Sequence, residues 1–265
     1  MRSSLVDHAR YVGQMLNGFR AHHEQHLAHV RWEDLASYIS AGQRQRVLDL
    51  ANGRLRPQYT LLRAHGHRVY GIYLVNYPRR TGVDLAYRVA RALFNWQVGG
   101  SALRARADTL ACGDVGYLPF ADASFDLITS VAAFEHFLDV PRVVCEMQRV
   151  LRYGGVVWVL IHLFTSPSGG HNVSLTEIPL RHVPRGVDAW DHLRRRLLPF
   201  HVPLNEWRRD QYVEEFSQHF KILTHYCLSR EGEALLLPAI ASELSAYDRD
   251  ELTCGALVIV ARKAQ

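Results

Sequence analysis

Two histidines stand where the chain could put a base to work. His136 belongs to the pair Glu135-His136, just after an apolar segment running from Phe125 to Ser130, and His171 closes Ser166-Pro167-Ser168-Gly169-Gly170-His171. An imidazole titrates near neutrality, so each is a candidate general base for a hydroxyl substrate. Packing against a ligand or capping a helix is the competing role for His136. For His171 a substrate contact is expected, because it follows a double glycine read as flexible. A second group sits upstream: Asp49 lies in a short apolar segment that closes at Leu50 and is followed by Ala51, Asn52 and Gly53. Glycine there would let the backbone turn tightly and approach a ligand closely. A third is the pair Gly113-Asp114, followed by Val115.

The remaining reactive side chains point away from metal chemistry. The chain has 15 histidines and four cysteines. His22, His26 and His29 share one face of a predicted helix. The histidines of His23-Glu24-Gln25-His26 are one residue too close for a His-Glu-x-x-His zinc motif, so a solvated face is the better reading and no metal is expected. Cys112, Cys145, Cys227 and Cys254 are widely spaced and suggest neither a zinc site nor disulfides, which fits a reducing cytosol. Five histidines (His162, His171, His182, His192 and His201) fall in or beside a proline-rich stretch. The histidine excess therefore narrows to His136 and His171 as testable positions.

These groups need a scaffold, and 265 residues with 48% hydrophobic side chains can bury a substantial core. Short apolar strands are expected at Arg46–Leu50, Arg68–Ile72, just before Gly113, at Phe125–Ser130 and at Val156–Phe164. Helical stretches separate them, including one from about Pro141 to Leu151. Strands apolar on both faces that alternate with helices predict a parallel sheet covered on both sides. Both candidate bases then follow carboxyl ends of strands, where open α/β sheets place their ligands. Residues 1–40 read as an N-terminal helical layer, 41–164 as the ligand-binding core, 165–210 as an irregular insertion, and 211–265 as the rest of the core. The insertion carries a short helix near Trp190; beyond it come a helix Gln211–Phe220, a strand Lys221–Leu228 and a closing strand Ala256–Ala261.

Charge excludes some partners. The net charge of +5 is modest for the length. Arg194, Arg195, Arg196, Arg208 and Arg209 interleave with Asp188, Asp191, Glu206 and Asp210, which suits a solvated face or an anionic substrate group better than a nucleic-acid track. Tyr11, Phe94 and Trp96 read as core residues. No segment has the length of a membrane span, and no signal core is visible at the N-terminus, so a soluble cytoplasmic protein is expected.

The stretch from Gly113 to Asp126, with Leu118-Pro119-Phe120 and Ser124-Phe125-Asp126, followed by Glu135-His136 and by Met147 to Gly155, resembles the class I S-adenosylmethionine-dependent methyltransferases, in particular the "type 11" group. The resemblance covers roughly residues 46–164. It implies a Rossmann-like, doubly wound, mostly parallel seven-stranded sheet with S-adenosylmethionine as cofactor. Asp49, Ala51, Gly53, Tyr73, Asp114, Val115 and Ser130 would line the cofactor site.

Two departures from the family pattern stand out. Of the usual Gly-x-Gly-x-Gly only Gly53 survives, with Ala51 and Leu55 at the flanking positions. Where the family places an acid for the ribose hydroxyls, this chain has Tyr73. A lost bidentate charged contact costs about 1.5–3 kcal/mol, and Asp84 is eleven residues too late to replace it. The resemblance implies methyl transfer to a small-molecule or glycan-type acceptor, most plausibly at oxygen. Sugar- and polysaccharide-modifying relatives share patterns like Ala189-Trp190-Asp191-His192-Leu193. A core anchor at Trp190 beside a surface pair Asp191 and His192 is the equal alternative. The departures keep a second function open, a weak or inactive methyltransferase-like protein that binds a partner.

Overall fold

Val47, Leu48, Leu50, Leu127 and Ile128 are almost completely buried, because the strands that carry them are covered on both faces. The computed structural model describes residues 37–38, 43–54, 56–75, 82–99, 109–172, 187–200 and 202–264. Its strands are β1 (Arg46–Leu50), β2 (Arg68–Tyr73), β3 (Leu110–Cys112), β4 (Phe125–Val131), β5 (Leu151–His162), β6 (Lys221–Arg230) and β7 (Cys254–Arg262). They form one seven-stranded sheet in the order β3-β2-β1-β4-β5-β7-β6. Strands β1 to β5 pair in parallel, and β7 runs antiparallel to both β5 and β6. This is the doubly wound, mostly parallel sheet that the sequence predicts. The order reverses direction between β1 and β4, which opens a crevice at their carboxyl ends.

Helices α1 (Pro57–Ala64), α2 (Gly82–Gly99), α3 (Val140–Val150), α4 (Asp191–Arg194), α5 (Arg209–His219), α6 (Pro238–Glu243) and α7 (Arg249–Leu252) accompany the sheet. One core layer packs Leu48, Ile128, Val157 and Val159 with Val144 and Met147 of α3 and Phe216 of α5. The other packs Val47, Leu127, Val156 and Trp158 with Tyr59 and Leu62 of α1. Helix α3 starts where Asp139 accepts the Arg142 N–H at 3.0 Å, with Pro141 in the first turn. From α3, Arg149 reaches the carbonyls of Leu118 and Phe120 at 2.9 and 2.8 Å and the Asp122 carboxylate at 2.7 Å. That arginine explains why Leu118-Pro119-Phe120 holds a fixed loop before β4.

Two expectations change. β5 begins at Leu151, five residues early, because Gly154 at φ 74 lets the chain bulge through Arg152–Gly155 and still pair with β4. Trp96 is 71% exposed on α2 and is no core residue. The predicted N-terminal helices, Tyr11 and the histidines at 22 to 29 lie outside the described residues, as does the side chain of Phe94. All four cysteines are free thiols. Among the described residues no helix is long and apolar enough to cross a membrane.

Candidate functional site

The carboxyl ends of β1 and β4 meet side by side. Asp49 is buried opposite Thr129, whose hydroxyl donates to Asp49 Oδ1 at 3.2 Å. The other oxygen, Oδ2, has no partner, and burial pushes the carboxyl pKa up to about 7, only partly offset by the Thr129 bond and the Tyr59 backbone. Immediately after β1, Ala51 and Gly53 both adopt left-handed backbone, at φ 51 and 61. Ala51 thus keeps a turn that glycine would enter freely, at a cost of about 1–2 kcal/mol. Asn52 donates its N–H to the Ile72 carbonyl at 3.2 Å, and its side chain crosses Gly71, where a Cβ would lie 2.0 Å from Asn52 Nδ2. Leu55 lies outside the described residues.

Tyr73 ends β2 beside Cys112, and its carbonyl accepts the Gly113 N–H at 3.1 Å. That bond sets Tyr73 next to Asp114, which is exposed and whose Oδ1 accepts the Gly116 N–H at 2.8 Å. Val115 is buried in the following turn. Ser130 lies opposite Leu50, and its buried hydroxyl has no partner. Asp84 is brought to this region after all: it lies 3.9 Å from Arg54 of the turn, whose guanidinium stacks on Tyr87 at 4.1 Å. The seven expected cofactor residues therefore gather at the ends of β1, β2, β3 and β4. Asp49 Oδ2, Asn52 Oδ1 and Ser130 Oγ are buried polar atoms awaiting partners, and a polar, cationic cofactor fits them.

The second cluster lies at the ends of β4 and β5. Phe134–His136 forms one tight helical turn after β4. His136 Nδ1 lies 3.0 Å from the Pro203 carbonyl, so that nitrogen carries the proton and Nε2 keeps its lone pair. Burial lowers the His136 pKa, with the Pro203 carbonyl acting the other way. His171 packs edge-on against His136 with ring centroids 4.8 Å apart, so the two expected bases do meet. Burial, reinforced by His162, His136 and His192, drives the His171 pKa down to about 2 and keeps it neutral. Its backbone is left-handed, at φ 50.

The double glycine before His171 is not a flexible hinge. A Cβ on Gly169 would lie 2.2 Å from the Leu163 carbonyl, and one on Gly170 would lie 2.6 Å from the His192 ring. Asp191 and His192 are likewise no surface pair. Asp191 is buried and accepts the N–H groups of Leu197 and Leu198 at 3.2 and 3.0 Å, and His192 Nε2 lies 2.7 Å from the Phe164 carbonyl. Trp190 is the core anchor, its indole N–H donating to the Thr165 and Leu252 carbonyls at 3.1 and 3.3 Å. Arg194, Arg195 and Arg196 pair with Glu243, Asp188 and Glu206.

Three further residues enter the site. Asn205 donates to the Phe134 and Phe137 carbonyls at 2.7 and 3.0 Å, and its own N–H bonds the Glu135 carbonyl at 2.9 Å. Glu135 is buried, and neither carboxylate oxygen has a hydrogen-bond donor. The Glu135 and His162 backbone N–H groups lie near enough to favour the anion without reaching hydrogen-bonding geometry, and burial still raises its pKa to about 8. His162 ends β5 within reach of both Glu135 and His171. The Glu135-His136 pair was visible in the sequence; the role of His162 was hidden inside an apolar strand.

The fold is of the class I methyltransferase type. A family model described as "Methyltransferase domain" matches residues 48–159. A mycobacterial "Uncharacterized methyltransferase" (Mycobacterium sp. strain KMS) is 35% identical over 141 residues, which is 52% of this chain and 50% of that protein. "24-methylenesterol C-methyltransferase 2" of Oryza sativa subsp. japonica is 30% identical over 181 residues, 67% of this chain and 44% of that protein. The chain thus spans about half the length of the curated relatives it matches. A solved structure described as a putative S-adenosylmethionine dependent methyltransferase from Listeria monocytogenes superposes with TM-score 0.53 at 14% identity, covering 88% of this chain and 98% of that one. Residues 48–159 thus match the methyltransferase-domain family, and the sheet has the fold of structures described as S-adenosylmethionine dependent methyltransferases, a likeness that points to S-adenosylmethionine as cofactor.

Proposed function

We propose that the chain methylates a hydroxyl of a small-molecule or glycan-type acceptor, using S-adenosylmethionine. The observation that carries the oxygen acceptor is the orientation of His136. Its Nδ1 is committed to the Pro203 carbonyl, which leaves a neutral Nε2 to take the acceptor's proton. When bound, the cofactor supplies a methyl group that is already strongly electrophilic, so the protein's task is mainly alignment. Asp49, Ala51, Gly53, Tyr73, Asp114, Val115 and Ser130 hold the cofactor. The Asp49 carboxylate favours its positive charge, and the Tyr73 phenol stands where the family has an acid. His171 and the insertion bound the acceptor side.

The relative named as a C-methyltransferase means that relatedness alone does not choose the atom. Calorimetry with S-adenosylmethionine and S-adenosylhomocysteine, followed by transfer from isotope-labelled cofactor to panels of sugars and small hydroxylated or carbon acceptors, tests the proposal. Cofactor binding with label in a methyl ether is expected. Label in a new carbon–carbon bond would overturn the oxygen reading, and no binding at millimolar cofactor would favour the partner-protein role.

A further inference from the structure

We propose that Glu135, His162 and His171 bind one divalent transition-metal ion, Zn²⁺ first among them, at the carboxyl ends of β4 and β5. The three are far apart in sequence, yet one ligand atom from each lies within 4.8 Å of the others. Tetrahedral Zn²⁺, with ligands at about 2.0–2.1 Å, holds them roughly 3.4 Å apart, a convergence that side-chain rotation supplies. Two imidazoles and a carboxylate suit Zn²⁺ and its first-row neighbours, whereas Mg²⁺ and Ca²⁺ prefer all-oxygen shells.

Three independent features prepare this donor set. Glu135 is 1% exposed with both oxygens unpartnered, and His136 Nε2, at 3.9 Å from Oε1, is beyond hydrogen-bond reach. A buried carboxyl left so, in either protonation state, costs about 1–3 kcal/mol, which a cation would remove. Nε2 of His171 is also buried without a partner. His162 is preset by a chain of hydrogen bonds: the Ser168 hydroxyl donates to Glu231, so its oxygen accepts the His162 Nε2–H at 2.7 Å. His162 Nδ1 is thereby left with its lone pair, the arrangement in which a carboxylate behind a histidine orients a metal ligand. Three protein ligands on a tetrahedral ion leave a fourth position open, where the oxygen of water or of an acceptor could be polarised.

The test uses tag-free full chain, stripped with a chelator and free of S-adenosylmethionine. Titration with Zn²⁺ followed by calorimetry, and with Co²⁺ followed by visible absorption, is expected to show one equivalent and the intense d–d bands of a four-coordinate ion. Glu135→Gln, His162→Gln and His171→Asn should each weaken Zn²⁺ at least tenfold; asparagine is chosen because it tolerates left-handed backbone. Ser168→Ala leaves the ligands in place and should weaken Zn²⁺ about 10- to 100-fold. Melting curves and cofactor binding on the same samples separate a misfolded variant from a lost site, and a metal failure from a failure of the methyltransferase reading. No binding at micromolar Zn²⁺ would overturn the site. So would binding that survives all four substitutions and vanishes when His22, His23, His26 and His29 are replaced.

Discussion

At the ends of β1 and β2 the chain is shaped by its own backbone: left-handed residues at Ala51 and Gly53, a strand carbonyl bonding Asn52, and Gly71 leaving room for a crossing side chain. At the ends of β4 and β5 the shaping is done by side chains from far along the sequence, as Pro203 and Asn205 fasten the Glu135-His136 turn and Glu231 fastens Ser168 and His162. The first region keeps orphaned polar atoms that suit the proposed cofactor. The second spends many of its polar atoms on fixing the proposed base, His136, and leaves Glu135 and His171 open. A common cofactor can be held by local geometry, whereas a particular acceptor calls for a particular arrangement of distant groups.

Substitutions can break that contrast. His136→Ala should lower kcat by about 10²–10⁴-fold while the cofactor Kd stays within twofold, a split read by steady-state kinetics and calorimetry. A parallel loss of cofactor affinity would mean the two regions are not separable. Next is the pH response of Asp49. Its folded pKa is raised to about 7 from 3.8, so the folded state favours the protonated acid. Stability of the cofactor-free protein should be fullest below pH 4 as far as this group is concerned, and should decline as pH rises toward 7, by on the order of 3 kcal/mol. Asp49→Asn should remove that slope in urea titrations run across this range.

Smaller effects sharpen the picture. Gly169→Ala must push the Leu163 carbonyl aside and should lower stability by about 2–3 kcal/mol, seen as a lower urea midpoint with unchanged m-value; a harmless substitution would restore the hinge. Tyr73→Asp should tighten S-adenosylmethionine by about ten- to a hundredfold if the ribose sits there. Unchanged or weaker binding would move the ribose elsewhere. Ala51→Gly relieves left-handed strain and should raise stability by no more than about 1 kcal/mol, because glycine also frees the unfolded chain.

The sheet was legible because its signals are local. Val47 to Leu50 and Phe125 to Ser130 are apolar runs bounded by turns, and the Gly113-to-Phe125 stretch has a pattern that one arginine, Arg149, holds in place. The residues expected to hold the cofactor could be placed in the fold, since each lies within a few positions of a strand end. The ends of β4 and β5 were harder to read. Pro203 and Asn205 look like ordinary loop residues until their hydrogen bonds are seen, and His162 is one polar residue in an apolar strand. The pair Gly169-Gly170 suggests mobility by type, yet it records close packing against Leu163 and His192. Asp191 and His192 look solvated for the same reason: a polar side chain with a buried backbone partner cannot be told from an exposed one by composition.

The bond from Pro203 to His136 has an evolutionary consequence. The segment read as the acceptor-covering insertion also decides which ring nitrogen of His136 is free. On the proposed reading, an insertion transplanted from a relative would bring a new acceptor pocket and, unless it carried a carbonyl to the same place, would free the wrong nitrogen of His136. New specificity in this scaffold has to be acquired by changes that keep one main-chain oxygen still.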